Sequence, residues 1–531
     1  MIEVVDLFAG PGGLGEGFAA FTTPSGRSPF KLVLSIEKDP AAHRTLLVRS
    51  FFRQFTGDRV PDEYYEIARG QLTWNDLTGP FPLQAAAATM EAWQAELGND
   101  AAFPPEHVDS KINEALGSSN VWVLIGGPPC QAYSIVGRVR MRSQRPDKFE
   151  EDHRHFLYRE YLRILEKHGP PVFVMENVKG LLSAKIRGDL IVRLILRDLE
   201  RLRYDLYSFV GDNQSLPLQL RPTLDLNDFI ICAEHYGVPQ SRHRFIILGI
   251  RRDSGLRPHT LRPEHTRTTV ADAISDLPRL RSRLSGDRDS GPAWLAAITK
   301  PIEDGSITDL RLRRFMKHLA ARLEPELTGG AEFVPGSSNP HLAPNWIHDS
   351  RLRGVSNHRT RAHMPDDLGR YFFVASYAKL YGRSPKLADF PLSLLPNHRN
   401  VSSTKKGNFI FNDRFRTQTW NSPATTITSH IAKDGHYFIH PDPLQCRSLT
   451  VREAARLQSF PDNYLFMGTR TQQYQQIGNA VPPLLAVRLA GIVHDVLESA
   501  LPRRVDTWDG PNLGEASQLE YVANPIEGHR A

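Results

Sequence analysis

Cys130 stands at an abrupt corner. The run VWVLIGGPPCQAYS (residues 121–134) begins as a buried strand and stops in Gly126-Gly127-Pro128-Pro129, immediately before the thiol. Neither proline can donate to a strand ladder, so the chain must leave the sheet there and carry Cys130 outward. A cysteine so placed fits nucleophilic chemistry, which needs the thiolate and a cation or helix end near it. Glu176, in MENV, leaves the next strand in the same way. Its carboxyl group could hydrogen-bond or protonate a substrate nitrogen if burial raised its pKa. Gln240, Arg242 and Arg244 alternate along GVPQSRHRF. Strict alternation predicts both arginines on one face, where planar guanidiniums suit carbonyl or phosphate acceptors; a solvated strand face is the plainer reading. DLFAGPGGLGEGF opens the chain with Gly10, Gly12 and Gly13 in a turn before a helix. Such a turn lets the backbone approach a nucleotide, although the spacing is not GxGxxG and a merely tight turn explains it too. Glu37, at the end of the second strand, is where an open α/β fold places a carboxylate on ribose hydroxyls; a surface glutamate is as ordinary there.

These residues need a scaffold that brings several strand ends together. IEVVDLF, LVLSIE, VWVLI and VFVM read as buried strands. Between and after them come helical stripes, Phe156, Leu157, Tyr161, Ile164 and Leu165, then Leu190, Ile191, Leu194, Ile195, Leu199 and Leu202. The alternation predicts an α/β fold, a doubly wound and mostly parallel sheet. FIICAEHYG and RFIILGIR are expected to pair antiparallel at its edge. Residues 80–119, with LQAAAATMEAWQAELGND, read as a helical insertion. The expected organisation is a catalytic domain over 1–254, a loop-rich domain over 255–445, a return over 446–501 opened by a Thr450–Glu453 capping box, and a polar tail over 502–531.

At 531 residues the chain exceeds one ordinary core, and 40% hydrophobic with 23% charged residues reads as soluble and globular. A formal charge of +6 leans toward a polyanionic partner without requiring one. The three cysteines, Cys130, Cys232 and Cys446, are too dispersed for a disulfide framework or a CxxC zinc site. Cys232, inside FIICA, reads as a small buried hydrophobe. His430, His436 and His440 lack partners at familiar ligand spacing, so no metal is expected. The start lacks a signal-peptide pattern and no apolar run approaches the ~20 residues of a membrane span, so a cytoplasmic protein with no membrane partner is expected.

In this order, DLFAGPGG, GGPPCQAYS, ENV, QSRHR, REAARLQSFPD and QIGNAVPP resemble the blocks of the cytosine-5 DNA methyltransferase family, from Asp6 to Pro483. The resemblance implies a Rossmann-like methyltransferase fold using S-adenosylmethionine, with 255–445 as the target-recognition domain. It implies Cys130 as the nucleophile at carbon 6 of a flipped-out cytosine, Glu176 on N3 and the exocyclic amine, and Arg244 on O2 with Arg242 close by. Phe8, Gly10, Gly12, Gly13 and Glu37 would line the S-adenosylmethionine site, with Asn479 and Val481 closing it. The family's acidic contact to the adenine amine falls best on Asp76, in WNDL. REAARLQSFPD would be architectural. Tyr133 replaces the usual Phe, and the loop between Gly137 and Asp152, with Arg138, Arg140, Arg142 and Arg145, is longer than typical; it could close over DNA phosphates.

The expected partner is double-stranded DNA, and the enzyme would work as a monomer, alone or with a cognate restriction or defence system. Three rivals remain at this stage: a tRNA cytosine-5 methyltransferase, an inactive relative that only binds DNA, and a nicotinamide oxidoreductase on the same sheet. The long recognition region disfavours the first, the set of Cys130, Glu176 and two arginines the second, and the imperfect glycine spacing the third.

Overall fold

A computed structural model describes residues 1–128, 154–186, 189–211, 225–286, 289–396 and 412–500. Its centre is an eight-stranded sheet of β1 (Ile2–Leu7), β2 (Phe30–Glu37), β3 (Ala92–Gln94), β4 (Trp122–Gly126), β5 (Val172–Val178), β6 (Tyr204–Tyr207), β7 (Ile230–Cys232) and β8 (His243–Arg251). The spatial order is β3-β2-β1-β4-β5-β8-β6, with β7 also paired to β8. Strands β1 to β5 are mutually parallel, so their carboxyl ends share one edge. Chain order reverses between β1 and β4, the point where an open α/β sheet parts its loops into a crevice. β8 runs antiparallel to both β5 and β6. Its beginning, not its end, therefore lies at the edge where β5 ends.

The strand runs are β-branched and apolar because both faces are covered. On one face lie α1 (Gly13–Ala20) and the last helix, whose Leu485, Ala486, Leu489, Val493 and Val496 pack with Phe18, Leu32 and Ile125. On the other lie Val108 and Ile112 of α6, Tyr161 and Ile164 of α7, and Ile195 and Leu199 of α8, against Leu34, Leu124 and Phe173. These helices are Pro105–Leu116, Arg154–His168 and Ile191–Arg201. Helix α2 (Pro40–Arg53) follows β2 at once because Asp39 caps it, accepting from the Ala41 and Ala42 amides at 3.0 and 2.9 Å.

Two sequence expectations change. The alanine-rich segment around residue 90 is not simply an inserted helix. Helix α5 (Pro82–Glu91) ends directly in β3, which adds an edge strand by pairing Ser35 with Ala92 and Glu37 with Gln94. Alanine favours helix locally, but a free sheet edge supplies the partner that decides the strand. The short helices α3 (Asp62–Ala68) and α4 (Trp74–Thr78) precede α5. The FIICA and RFIILGIR runs do pair antiparallel, yet β8 is interior, flanked by β5 and β6.

Beyond the sheet, α9 (Gly291–Glu303), α10 (Leu310–Ala320) and α11 (Pro365–Tyr381) bury Trp294, Ile298, Met316, Phe372 and Phe373 together. β9 (Gly330–Pro335) and β10 (Gly354–Arg359) form an antiparallel ribbon. The chain returns through α12 (Val451–Leu457), α13 (Arg470–Asn479) and α14 (Pro483–Ala500). The Thr450–Glu453 capping box is present at α12. The α13–α14 stretch is long and apolar enough to cross a membrane by composition, but most of it is buried in the protein core.

Candidate active site at the carboxyl edge of the sheet

Glu176 and Arg244 meet at this edge. Arg244 Nε lies 2.7 Å from Glu176 Oε1, and both side chains are largely buried. The antiparallel register makes the meeting possible: Ile246 faces Glu176 and Arg244 faces Val178. The carboxylate also reaches across to the glycine corner. A methyl group on Gly127 would lie 2.7 Å from Glu176 Oε2 and 2.9 Å from its carbonyl oxygen, so only glycine lets the two strand ends approach so closely. Asn177 then donates its Nδ2 to the Pro128 carbonyl at 3.3 Å. The described chain stops at Pro128, and Cys130, Tyr133 and the arginine-rich loop lie outside the described residues. Burial lowers the Arg244 guanidinium from its ordinary value, and Glu176 beside it opposes that shift.

Arg242 has another duty. It is fully buried, with Nη1 donating to the Ile427 carbonyl at 2.7 Å. Nη2 donates to the Gly478 and Ala480 carbonyls at 3.1 and 2.7 Å. Gln240 works with it, accepting from the Ile427 amide at 2.7 Å and donating to the Leu457 carbonyl at 3.0 Å. The expectation of one shared arginine face is therefore corrected. Arg242 N donates to Gln240 O at 2.8 Å, a tight local turn that interrupts the extended alternation just before β8. Arg244 faces the cleft, while Arg242 ties the returning chain to the sheet.

The second half of the edge is the glycine loop. Phe8 adopts φ 57°, a left-handed conformation uncommon for a bulky residue. Glu37 Oε2 accepts from the Gly10 amide at 2.8 Å, and its Oε1 accepts from the Asp39 amide at 2.7 Å. Burial raises the Glu37 carboxyl above its usual range, opposed by these amides. Gly12 sits in the left-handed region at φ 91°. Gly13 is pressed against the returning chain: a Cβ there would lie 2.2 Å from the Val481 carbonyl oxygen. Val481 is thereby brought to the loop, while Asn479 is exposed at the end of α13. Tyr464 donates its hydroxyl to the Pro11 carbonyl across 453 residues of sequence, a contact with no local signal. Below the loop Asp6 is buried, one carboxyl oxygen has no partner among the described residues, and burial pushes the group up to about 8.

Asp76 is occupied elsewhere. Its Oδ2 accepts from the Thr73 amide and hydroxyl at 2.8 and 2.6 Å, closing the capping box of α4. The acidic residue that β3 carries to the end of β2 is Glu96, two residues past the Glu37–Gln94 pair, whose Oε1 pairs with Lys38 at 3.1 Å. It was hidden because β3 itself was hidden.

The histidines are held structurally. His436 Nδ1 lies 2.9 Å from the Tyr371 hydroxyl, and His440 Nδ1 accepts from the Asp442 amide at 3.1 Å. Cys446 is buried as a small apolar group. Cys232 is only partly buried, facing His243 across the β7–β8 pair, with Glu234 bonded to that histidine at 2.9 Å.

The amino-acid sequence matches the model of "C-5 cytosine-specific DNA methylase" over residues 104–290 and 341–494. A type II methyltransferase of Bacillus paralicheniformis, M.Bpa9945I, is 32% identical over 516 residues, covering 93% of this chain and 99% of that protein. M.DdeI, a type II methyltransferase of Desulfomicrobium norvegicum, is 27% identical, covering 92% of this chain and 88% of its own. The DNA (cytosine-5-)-methyltransferase M.ApeKI of Aeropyrum pernix is 28% identical over 71% of this chain and 82% of its own.

Proposed function

The chain belongs to the C-5 cytosine-specific DNA methylase family, and from that premise we propose how its own residues methylate carbon 5 of cytosine in a specific DNA sequence. The observation that carries the assignment is the Glu176–Arg244 pair set against Gly127, one step before the corner that leads to Cys130. Stacked in duplex, the target carbon is out of reach, so the base is flipped out into this cleft at a cost of a few kcal/mol. There the Cys130 thiolate adds to carbon 6, and the electron pair moves onto the ring. Glu176 donates a proton to N3 as that charge forms and accepts from the exocyclic amine, and Arg244 both contacts O2 and keeps Glu176 in place. Carbon 5 is then nucleophilic. After methyl transfer a base removes the carbon 5 proton, the ring pair expels Cys130, and the thiolate returns.

The glycine loop suits the methyl donor. Phe8, Gly10, Gly12 and Gly13 form a cradle whose close packing a larger loop would not reproduce. Glu37 offers ribose hydroxyls a carboxylate already oriented by two amides, and the Val481 carbonyl closes the loop from behind. S-adenosylmethionine bound there supplies an electrophilic methyl group. We assign Glu96, not Asp76, as the acidic residue nearest that site, and Arg242 as a residue that positions the Asn479–Val481 turn. The substrate is duplex DNA, and the enzyme acts inside the cell as the modifying partner of a restriction or defence system.

The test is covalent trapping. Duplex DNA carrying 5-fluorocytosine, incubated with the full chain and S-adenosylmethionine, should give a stable protein–DNA adduct, because fluorine cannot leave as the proton does. Cys130→Ser should abolish the adduct without changing the melting temperature. Trapping on tRNA alone, or equal trapping by Cys130→Ser, would defeat the reading.

A further inference from the structure

A second cluster of arginines lies away from the Glu176–Arg244 pair. A cavity of about 270 Å³ is lined by Arg283, Glu332, Arg359, Thr360, Ala362 and Arg470. Arg283 comes from a short strand paired with Ala362–His363, Arg359 ends β10, and Arg470 opens α13. Three guanidiniums thus face one carboxylate, and Glu332 is 3.8 Å from Arg359 with both side chains substantially exposed. The other two arginines bond to main chain, Arg283 Nη2 to the Gly330 carbonyl at 3.3 Å and Arg470 Nη1 to the Thr360 carbonyl at 2.9 Å, with Asp289 attracting Arg283 from a distance. Among the described residues neither forms an ion pair with a carboxylate.

The guanidiniums of Arg283, Arg359 and Arg470 lie close enough to repel one another. Burial lowers both the Arg283 and Arg470 guanidiniums, and Arg359 beside Arg283 adds like-charge repulsion. Excess positive charge in a walled cleft focuses its field on an anion. Arginine forks fit the oxygens of a phosphate in pairs. The location adds a reason. Arg283 and Arg359 belong to the recognition region, whereas Arg470 begins the helix whose far end, about 15 Å away, carries the Asn479–Val481 turn onto Gly13. Arg361, beside the cavity, donates to the Ile431 carbonyl at 2.8 Å, and residues 428–429 pack on Gly478, whose carbonyl Arg242 holds.

We propose that this pocket seats a backbone phosphate of the DNA substrate, joining the recognition region to α13. The proposal rests on the DNA methylase reading above. Arg359, at the rim, can be changed without disturbing buried packing, so it is the variant to make. Arg359→Gln should reduce the slope of log affinity against log salt by about one, measured on a random-sequence duplex. It should raise KM for DNA while kcat at saturating DNA and KM for S-adenosylmethionine stay unchanged. Glu332→Gln should do the opposite and tighten binding, an outcome that loss of folding cannot imitate. An unchanged salt slope in Arg359→Gln, with active wild type, overturns the proposal. So does a loss confined to one target sequence at unchanged slope, which would give the arginine to a base. Wild-type protein that methylates no unmethylated genomic DNA fails earlier, and on the family reading instead.

Discussion

The return segment and the carboxyl edge of the sheet both bury charge, in opposite ways. In the return segment every buried guanidinium is engaged. Arg447 pairs in a double fork with Glu453 at 2.7 and 2.6 Å. Arg456 pairs with Asp462 at 2.9 and 2.8 Å and with Asp276 at 2.6 Å. Arg452 donates to the carbonyls of Ser356, Pro461 and Tyr464. The contacts to Asp276 and Ser356 join the return segment to the chain between residues 255 and 445, as a structural joint needs. At the edge, Glu176 is held through Oε1 by Arg244 while Oε2 faces the glycine corner. Saturated charge makes a joint; among the described residues Glu176 is paired through Oε1 with Arg244, an arrangement that suits a site. Gln240 and Arg242 show both within one motif, since their neighbour Arg244 goes to the cleft.

The contrast can be broken at its strongest point. Arg456→Ala leaves Asp462 and Asp276 without their cation in the interior, and removing one partner of a buried pair costs about 3–5 kcal/mol. Urea unfolding should show that loss, with DNA binding and S-adenosylmethionine binding failing together. A loss below about 1 kcal/mol would mean that the segment is no joint.

The two arginines of QSRHR sharpen it. Arg242→Lys replaces two separated donor nitrogens, which reach carbonyls on different segments, with one point donor and should lose about 1–3 kcal/mol of stability. Arg244→Lys should melt near wild type but lower kcat by about tenfold or more, because the Nε contact that holds Glu176 is gone. Swapped phenotypes would reverse the roles given to them.

The smallest effect is a pH slope. Burial lowers His358 from 6.5 to about 4, and its ring is bonded to Thr450 Oγ1 and the Pro278 carbonyl. Between those values the unfolded chain takes up a proton that the folded chain refuses. Stability is therefore complete above pH 6.5 and falls as pH drops toward 4, by at most about 1.4 kcal/mol per pH unit. Denaturant titrations at pH 7, 6 and 5 should show the fall, and His358→Gln should flatten it by one proton. A slope unchanged in that variant removes His358 as the cause.

Much of the site was legible because its signals are short. Two prolines and two glycines end β4 wherever they occur, Asp39-Pro40 starts α2, and Thr450 with Glu453 starts α12. Each is settled within about one turn or strand by sterics and local hydrogen bonds. What failed depended on a distant partner. β3 is a strand only because β2 has a free edge beside an alanine-rich helix. Arg244 reaches Glu176 only because β8 enters the sheet antiparallel, between β5 and β6. Arg242 turns away because residues 427, 478 and 480 come back to meet it, and Tyr464 holds Pro11 from the far end of the chain. The sequence by itself determined which residues could react and where strands must stop. Only the tertiary structure decided which of them face one another, since a buried donor takes whichever acceptor packing delivers.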